Sequence, residues 1–502
     1  VPNDTKDTHA RPDAPELGRV QRRAIGELLR VAPVADDLAA RFAEAGFSLA
    51  LVGGSVRDAL LGRLGHDLDF ATDARPDDVL RIVRPWADAV WDVGIAFGTV
   101  GCRKVAPDAP GEAAGPGERE VRDFQLEITT YRSEAYDRTS RKPEVAYGDS
   151  LEEDLLRRDF TVNAMAVALP RKEFIDPHDG LSDLAQRVLR TPATPESSFS
   201  DDPLRMMRAA RFAAQLDFTV AEPVRAAMEA MADRIDIVSA ERVRDELNKL
   251  LVSEHPRKGI TLLVDAGLAE RVLPEVPALR LERDEHHRHK DVYEHSLTVL
   301  EQAIALEDDG PDLVLRLAAL LHDIGKPRTR RFETDGRVSF HHHEVVGAKM
   351  TKQRMTRLKY SNEMIKDVSR LVELHLRFHG YGTGEWTDSA VRRYVRDAGP
   401  LLSRLHKLTR SDCTTRNKRK AQALSAAYDG LEQRIERLQE QEELDAIRPD
   451  LDGNAIMTVL GIGPGPEVGN AYRYLLELRI EQGPLDRDAA ERALREWWAA
   501  QK

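Results

Sequence analysis

The run FSLALV from Phe47 to Val52 is short and apolar and leads directly into Gly53-Gly54, which predicts a buried strand ending in a tight turn. VRDALLG then predicts a helix and DLDFAT a second strand, with further strands at FGTVGCRKV and FQLEITTYR. Between those two lies PDAPGEAAGPGERE, whose Pro, Gly, Ala and Glu content predicts a hairpin loop. Residues 35–190 therefore read as an α/β domain, preceded by a polar leader at 1–34. From Ser200 the period becomes helical, in DDPLRMMRAARFAAQL, EPVRAAMEAMADRI and SAERVRDELNKLL. Helices continue to the EWWAAQK terminus, with a polar break at RPDLDGNA, a Gly/Pro turn at GIGPGPEVG and no internal repeat.

At 502 residues, 41% apolar and 32% charged, the chain is long enough for several cores. The balance of 74 basic against 86 acidic residues, −12, argues mildly against an indiscriminate nucleic-acid binder, though not against a local basic surface. No apolar stretch approaches the length of a membrane helix, and even Leu313 to Leu321 is broken by Arg316. VPNDTKDTHARPDAPELGRV has neither the basic start nor the apolar core of a secretory signal, and Cys102 and Cys413 form no CxxC. A cytoplasmic location is the resulting expectation.

The segment LVGGSVRDALLG followed by HDLDF carries the first chemistry. Adjacent glycines after a strand let backbone N–H groups approach a phosphate, the helix that follows offers its positive end, and Arg57 is placed to pair with the same phosphate. Asp67 and Asp69 are separated by one residue, so on a strand their carboxylates share a face, as a pair of Mg2+ ions requires. Each element alone also reads as a turn or a solvated acidic edge. In that order they resemble the nucleotidyltransferase superfamily, in the branch of bacterial CCA-adding tRNA nucleotidyltransferases and poly(A) polymerases. The resemblance implies that Asp67 and Asp69 bind Mg2+ and that Gly53, Gly54 and Arg57 hold the incoming triphosphate. Glu127, in LEITTYR, is the candidate third carboxylate on a neighbouring strand, or equally an edge glutamate in water.

EEDLLRRDFTVNAMAV places Arg157, Arg158, Asp159 and Asn163 against an apolar stretch, where charges need partners. This resembles the family's RRD motif, implying contact with the ribose; an internal ion pair is the alternative. In DDPLRMMRAARF, Asp202, Arg205, Arg208 and Arg211 recur every three residues and predict one stripe along a helix started by Asp202 and Pro203. Guanidinium and carboxylate on a rigid helix present the donors and acceptor that a base edge needs. The stripe resembles the EDxxR motif of class II CCA-adding enzymes, which select CTP and then ATP without a template; Asp201 stands where the family has Glu. By that match Asp202 and Arg205 read the base, while Arg208 and Arg211 support it or contact phosphate. The resemblance also implies that a loop within YDRTSRKPEVAYGDS assists the change from C to A.

Eleven of the 15 histidines lie between His286 and His406. His322-Asp323 ends an apolar helix, with His295 before it and His343, His375 and Asp412 after it, so imidazole and carboxylate ligands fall on successive helices. Such a set suits Mn2+, Fe2+, Ni2+ or Zn2+. The order resembles the HD phosphohydrolase superfamily, implying hydrolysis of a phosphate ester at damaged tRNA ends, or a domain kept for packing or RNA contact. His286, His287, His289, His341 and His342 receive no role. Seven basic residues between Leu402 and Ala421 (Arg404, Lys407, Arg410, Arg416, Lys418, Arg419 and Lys420) are the local candidate for tRNA phosphate contact, or a solvated helix and loop.

The resulting expectation is an α+β nucleotidyltransferase (polymerase beta-like) head at 35–190, an all-α neck at 191–285, an HD body at 286–421 and a helical tail at 422–502. Its partners are tRNA, CTP and ATP, and its reaction is addition of C, C and A with release of pyrophosphate. Rival readings are a poly(A) polymerase and a metal-dependent phosphohydrolase with a nucleotide-sensing head. Synthetase–hydrolases of guanosine tetraphosphate place the HD domain first, and uridylyltransferases of nitrogen control are longer.

Overall fold

The computed structural model describes residues 18–501 except 20–21, 24, 27–28, 30–32, 64, 92–94, 96–97, 108–120, 134–145, 149, 281–290, 335–337, 379–385, 415–417 and 443–447. The leader up to residue 17, most of the expected hairpin loop, the specificity loop at Arg138–Lys142, and His286, His287 and His289 lie outside the described residues. Ile25 and Leu29, within the stretch expected as a polar leader, are buried. The chain divides into two compact units, Val1–Arg271 and Val272–Lys502.

The first unit is built on seven strands. Helix α1 (Pro33–Glu44) leads into β1 (Leu49–Val52), α2 (Gly54–Leu60), β2 (Asp67–Thr72), α3 (Pro76–Val83), β3 (Ala89–Trp91), β4 (Thr99–Pro107) and β5 (Val121–Thr130). After α4 (Leu151–Leu156) come β6 (Ala166–Leu169) and β7 (Glu173–Ile175). The strand order is β3-β4-β5-β2-β1-β6-β7. Only β2 and β5 run parallel within it; the β4–β5 pair is the expected hairpin. Alternation along β2 and β5 buries Leu68, Phe70, Phe124, Leu126 and Ile128 on the face that α1 and α3 cover. The opposite face carries Asp67, Asp69, Gln125 and Glu127 and is open. Strands β3, β6 and β7 have no expectation behind them. AVAL in β6 is apolar throughout because the strand is buried, and β3 and β7 have three residues each.

Helices complete this unit: α5 (Leu204–Leu216), α6 (Glu222–Ala230), α7 (Ala240–Leu251) and α8 (Pro256–Asp265). Helices α7 and α8 pack on α5, whose Met206, Met207, Ala210 and Phe212 are buried. Ser239 starts α7 by accepting from Arg242 N.

In the second unit, α9 (Val292–Ile304), α10 (Leu313–Leu321), α11 (His343–Arg357), α12 (Asn362–Leu374), α13 (Asp388–Ala398), α14 (Leu402–Asp412) and α15 (Lys418–Glu442) follow in order. Asp291, Asp312, Ser361 and Thr387 cap α9, α10, α12 and α13 with side-chain oxygens, fixing where these helices begin. Three last helices, α16 (Gly453–Leu460), α17 (Pro466–Gln482) and α18 (Arg487–Ala499), share a core of Leu451, Ile456, Ala471, Leu475, Ala490 and Leu494. No helix among the described residues is long and apolar enough to cross a membrane.

Candidate functional site

Residue 53 adopts φ +69°, a conformation that favours glycine, and a Cβ there would lie 2.8 Å from Arg158 Nη1. Gly53 therefore lets the arginine close over the turn. Its own N–H donates to Met165 O at 3.3 Å. Ser55 ties the turn to β2: its hydroxyl accepts from Asp69 N at 2.9 Å and donates to Asp67 O at 3.3 Å.

Asp67 and Asp69 point to the open face of β2, as their spacing predicts. Parallel pairing sets Glu127 directly beside Asp69. Burial pushes the Asp69 carboxyl up, Glu127 and Asp67 add to this as like charges, and Arg158 and Arg57 oppose it. Hard oxygen donors held against their own repulsion suit a divalent cation.

Arg57 is buried, and its guanidinium is engaged by Asp58 (2.9 and 2.8 Å), by Asn163 Oδ1 (2.5 Å) and by the Phe212 ring, 5.2 Å from its centroid. It braces the turn against the Asn163 segment, its Nη2 3.5 Å from the place a Cβ on Gly54 would take. Arg158 is a second guanidinium at the turn, steadied by Asp154 at 3.1 Å.

Asp159 is the junction between sheet and helix. It accepts from Phe160 N and from Asn163 Nδ2 (2.8 and 2.9 Å) and from Arg208 Nε and Nη2 (2.8 and 2.5 Å). Burial would raise its carboxyl, but Arg208, Asn163 and Arg205 hold it well below the usual carboxylate range. Its charge thus stabilises the fold at every pH above that range, and the contribution is lost only as pH falls through the depressed value. Asp159→Asn is expected to cost about 3 kcal/mol at neutral pH, because a partly buried Arg208 loses its hydrogen-bonded carboxylate and keeps only Glu246, 3.5 Å away. Urea denaturation of both proteins checks this, and the gap between them should close only below the ordinary carboxylate range.

The helix of the arginine stripe starts at Asp202 and Pro203, as expected. Asp202 lies before α5 in extended conformation, φ −144° and ψ 101°. It accepts from Leu204 N and from Arg242 Nη2 (3.1 and 2.7 Å). Arg205 donates to the Ser198 hydroxyl at 2.8 Å and to Arg157 O at 2.5 Å. Arg211 is buried, 2.6 Å from Glu246 and with its guanidinium 3.9 Å from the Phe212 centroid, an arrangement that supports the helix. Ser55, Asp154, Phe212, Arg242 and Glu246 escaped the sequence reading. Only Asp154, four residues before Arg158 on a helix, left a local signal.

In the second unit the six expected residues meet. His322, Asp323 and His375 are almost fully buried and His343 nearly so. Asp323 Oδ2 lies 3.2 Å from His322 Nε2 and 3.6 Å from His295 Nε2, and its Oδ1 lies 3.2 and 3.9 Å from His343 and His375 Nε2. Asp412 Oδ1 is 2.9 Å from His295 Nε2. His322, His343 and His375 each direct Nδ1 at the carbonyl three residues earlier (2.8, 2.8 and 2.7 Å), which turns Nε2 inward. Nε2 of His343 and of His375 is buried without a hydrogen-bond partner. Burial, with His322 beside it, pushes His375 down to about 3, leaving a neutral imidazole with a free lone pair. Among the described residues, His295–His322–Asp323 and Asp323–His343–His375 each bring three ligand atoms within 4.8 Å of one another. Orphaned nitrogens, fixed tautomers and a shared carboxylate fit a metal.

The basic segment looks different in place. Arg404 pairs with Asp312 at 2.6 Å, Lys407 with Asp308 at 2.8 Å, and Arg410 with Asp429 and Glu432 at 2.8 and 2.9 Å. These three cations are already matched by carboxylates of their own unit. Arg416 and the side chains of Lys418 and Lys420 lie outside the described residues.

Three family descriptions match the chain: a poly A polymerase head domain over residues 49–190, a probable RNA and SrmB-binding site of polymerase A over 217–279, and an HD domain over 292–417. An A-adding tRNA nucleotidyltransferase of Deinococcus radiodurans is 36% identical over 459 residues, 90% of this chain and 95% of that protein. A CCA-adding enzyme of Streptococcus thermophilus is 31% identical over 465 residues, 92% and 94% of the two chains. The chain belongs to this family of HD-bearing tRNA nucleotidyltransferases. The crystal structure of the Bacillus stearothermophilus CCA-adding enzyme in complex with CTP shares the fold, with TM-score 0.63 at 22% identity over 97% of this chain and 99% of that one.

Proposed function

We propose that the first unit adds C, C and A to tRNA 3′ ends from CTP and ATP without a template, releasing pyrophosphate. The observation that carries this is the placing of Asp67, Asp69 and Glu127 on one sheet face beside a glycine turn that is tied through Arg57, Asn163 and Asp159 to the helix of Arg205 and Arg208. The carboxylates would hold Mg2+, which when bound neutralises charge on the phosphates and lowers the pKa of the attacking hydroxyl. Arg158 meets the triphosphate at the glycine turn. Asp159 and Asn163 hold the ribose segment, and Asp202 and Arg205 present acceptor and donors to the base. Arg157, through its carbonyl, and Ser198 keep Arg205 at one angle, so selectivity rests on a preset edge. Incorporation of labelled CMP and AMP into tRNA transcripts tests the reading. Addition of A alone is a second reading, favoured by the A-adding relative that covers nearly the whole chain.

By the same reading the segment Tyr136–Ser150 assists the change from C to A: deleting Arg138–Lys142 is expected to impair A addition about ten-fold more than C addition. Single-turnover incorporation on tRNAs ending in C and in CC measures the ratio, and equal losses would contradict it.

For the second unit, the six ligand-type residues would hold a transition metal such as Mn2+, Fe2+, Ni2+ or Zn2+, supplying a polarised phosphate and an activated water. The chemistry suits phosphohydrolase repair of damaged 3′ ends. A cytoplasmic location accords with tRNA as substrate.

A further inference from the structure

One row of residues crosses the open face of the sheet in register. Asp69 pairs with Glu127, Glu127 with Gly101, and Gly101 with Trp91. Residues in register share a face, so Trp91 lies on the face of the carboxylates. A Cβ on Gly101 would sit 1.9 Å from Trp91 Nε1 and 2.3 Å from Cε2. The indole of β3 therefore fills the place where β4 has no side chain, one strand spacing of about 4.8 Å from the Glu127 strand. Burial follows this arrangement: Gly101 is covered, while Trp91 remains partly exposed. No step of the proposed reaction uses this ring.

Its position has a direction. The groups assigned to the incoming nucleotide, Gly53, Arg158, Asn163 and Arg205, belong to β1 and the segments beyond it, on one side of Asp69. In an in-line displacement the attacking oxygen and the departing pyrophosphate lie on opposite sides of the phosphorus. The RNA end must then arrive on the other side, across β5 and β4, where the indole is the aromatic surface in the row.

We propose that Trp91, seated over Gly101, is the platform on which the last base of the acceptor RNA stacks, bringing its 3′-hydroxyl beside Glu127 and Asp69. The proposal rests on the transferase reading above. A stacked base is held by its π-face and so tolerates either C or A, as a growing CCA end requires.

The test compares Trp91→Leu with Trp91→Phe, both of which keep Gly101 covered by an apolar group while only the second keeps an aromatic face. A tRNA transcript ending in CC is the RNA and ATP the nucleotide. Trp91→Leu should raise KM for the RNA about ten-fold and leave KM for ATP within about two-fold, and Trp91→Phe should stay within about three-fold on both. Equal rises for Leu and Phe, no rise for either, or a matching rise in KM for ATP would overturn the platform while the wild type still incorporates AMP. Absence of incorporation by the wild type would overturn the transferase reading and the platform with it.

Discussion

Asp69→Ala is expected to lower nucleotide incorporation by about 1,000-fold or more while leaving the protein folded. Asp69 is the partly buried member of the acidic group and stands in register with Glu127. On the proposed reading its loss removes a metal ligand, together with a negative charge facing Arg158. Stability should move the other way. The Asp69 carboxyl is raised by burial and by its acidic neighbours, so its ionised form is disfavoured in the fold, and at neutral pH the alanine variant should melt at or above the wild-type midpoint. Steady-state incorporation and a thermal melt on the same preparation separate the two effects. Asp67→Ala, at an exposed position, should lose activity similarly, and retained incorporation by either variant would contradict the assignment.

The second large effect is expected at Asp323. Its two oxygens face different histidine pairs, Oδ2 toward His295 and His322 and Oδ1 toward His343 and His375. Both candidate ligand groups share it. Asp323→Asn keeps the shape and removes the charge, so metal retained through purification, measured by elemental analysis, should fall to background. Incorporation of CMP and AMP should persist within about two-fold, since the acidic groups of the sheet are untouched. Wild-type metal content in the variant would contradict a site centred on Asp323.

Local chemistry was legible in the sequence; its partners across the fold were not. The strand before Gly53, the shared face of Asp67 and Asp69 and the adjacent His322-Asp323 follow from short-range spacing, because a period of two or the end of an apolar helix places them without knowledge of the fold; His295, His343, His375 and Asp412, of which the first and last stand 117 residues apart, joined them through the resemblance to the HD order. The position of Glu127 beside Asp69 depends on a parallel pairing between strands more than 50 residues apart, which only the assembled sheet sets. The partners of Arg57 were hidden for a related reason: Asn163 and Phe212, which meet its guanidinium, arrive from distant segments. The arginine stripe is continuous in sequence and Asp202 caps its helix as expected, but Glu246 on α7, which Arg211 meets, comes from a distant segment. The basic run after Leu402 reads as an RNA surface, but Asp308, Asp312, Asp429 and Glu432 are brought beside its first three cations, Arg404, Lys407 and Arg410. A local excess of charge says little about a surface whose counter-charges come from neighbouring helices.

The most direct test of the central claim supplies the purified protein with tRNA transcripts ending before, within and after CCA, each with labelled CTP or ATP in turn. The account predicts C on the two shorter ends, A on the end finishing in CC, and no addition after A; A on the CC end alone would select the A-adding reading. Unlimited A tailing, or no incorporation into any transcript, would contradict it.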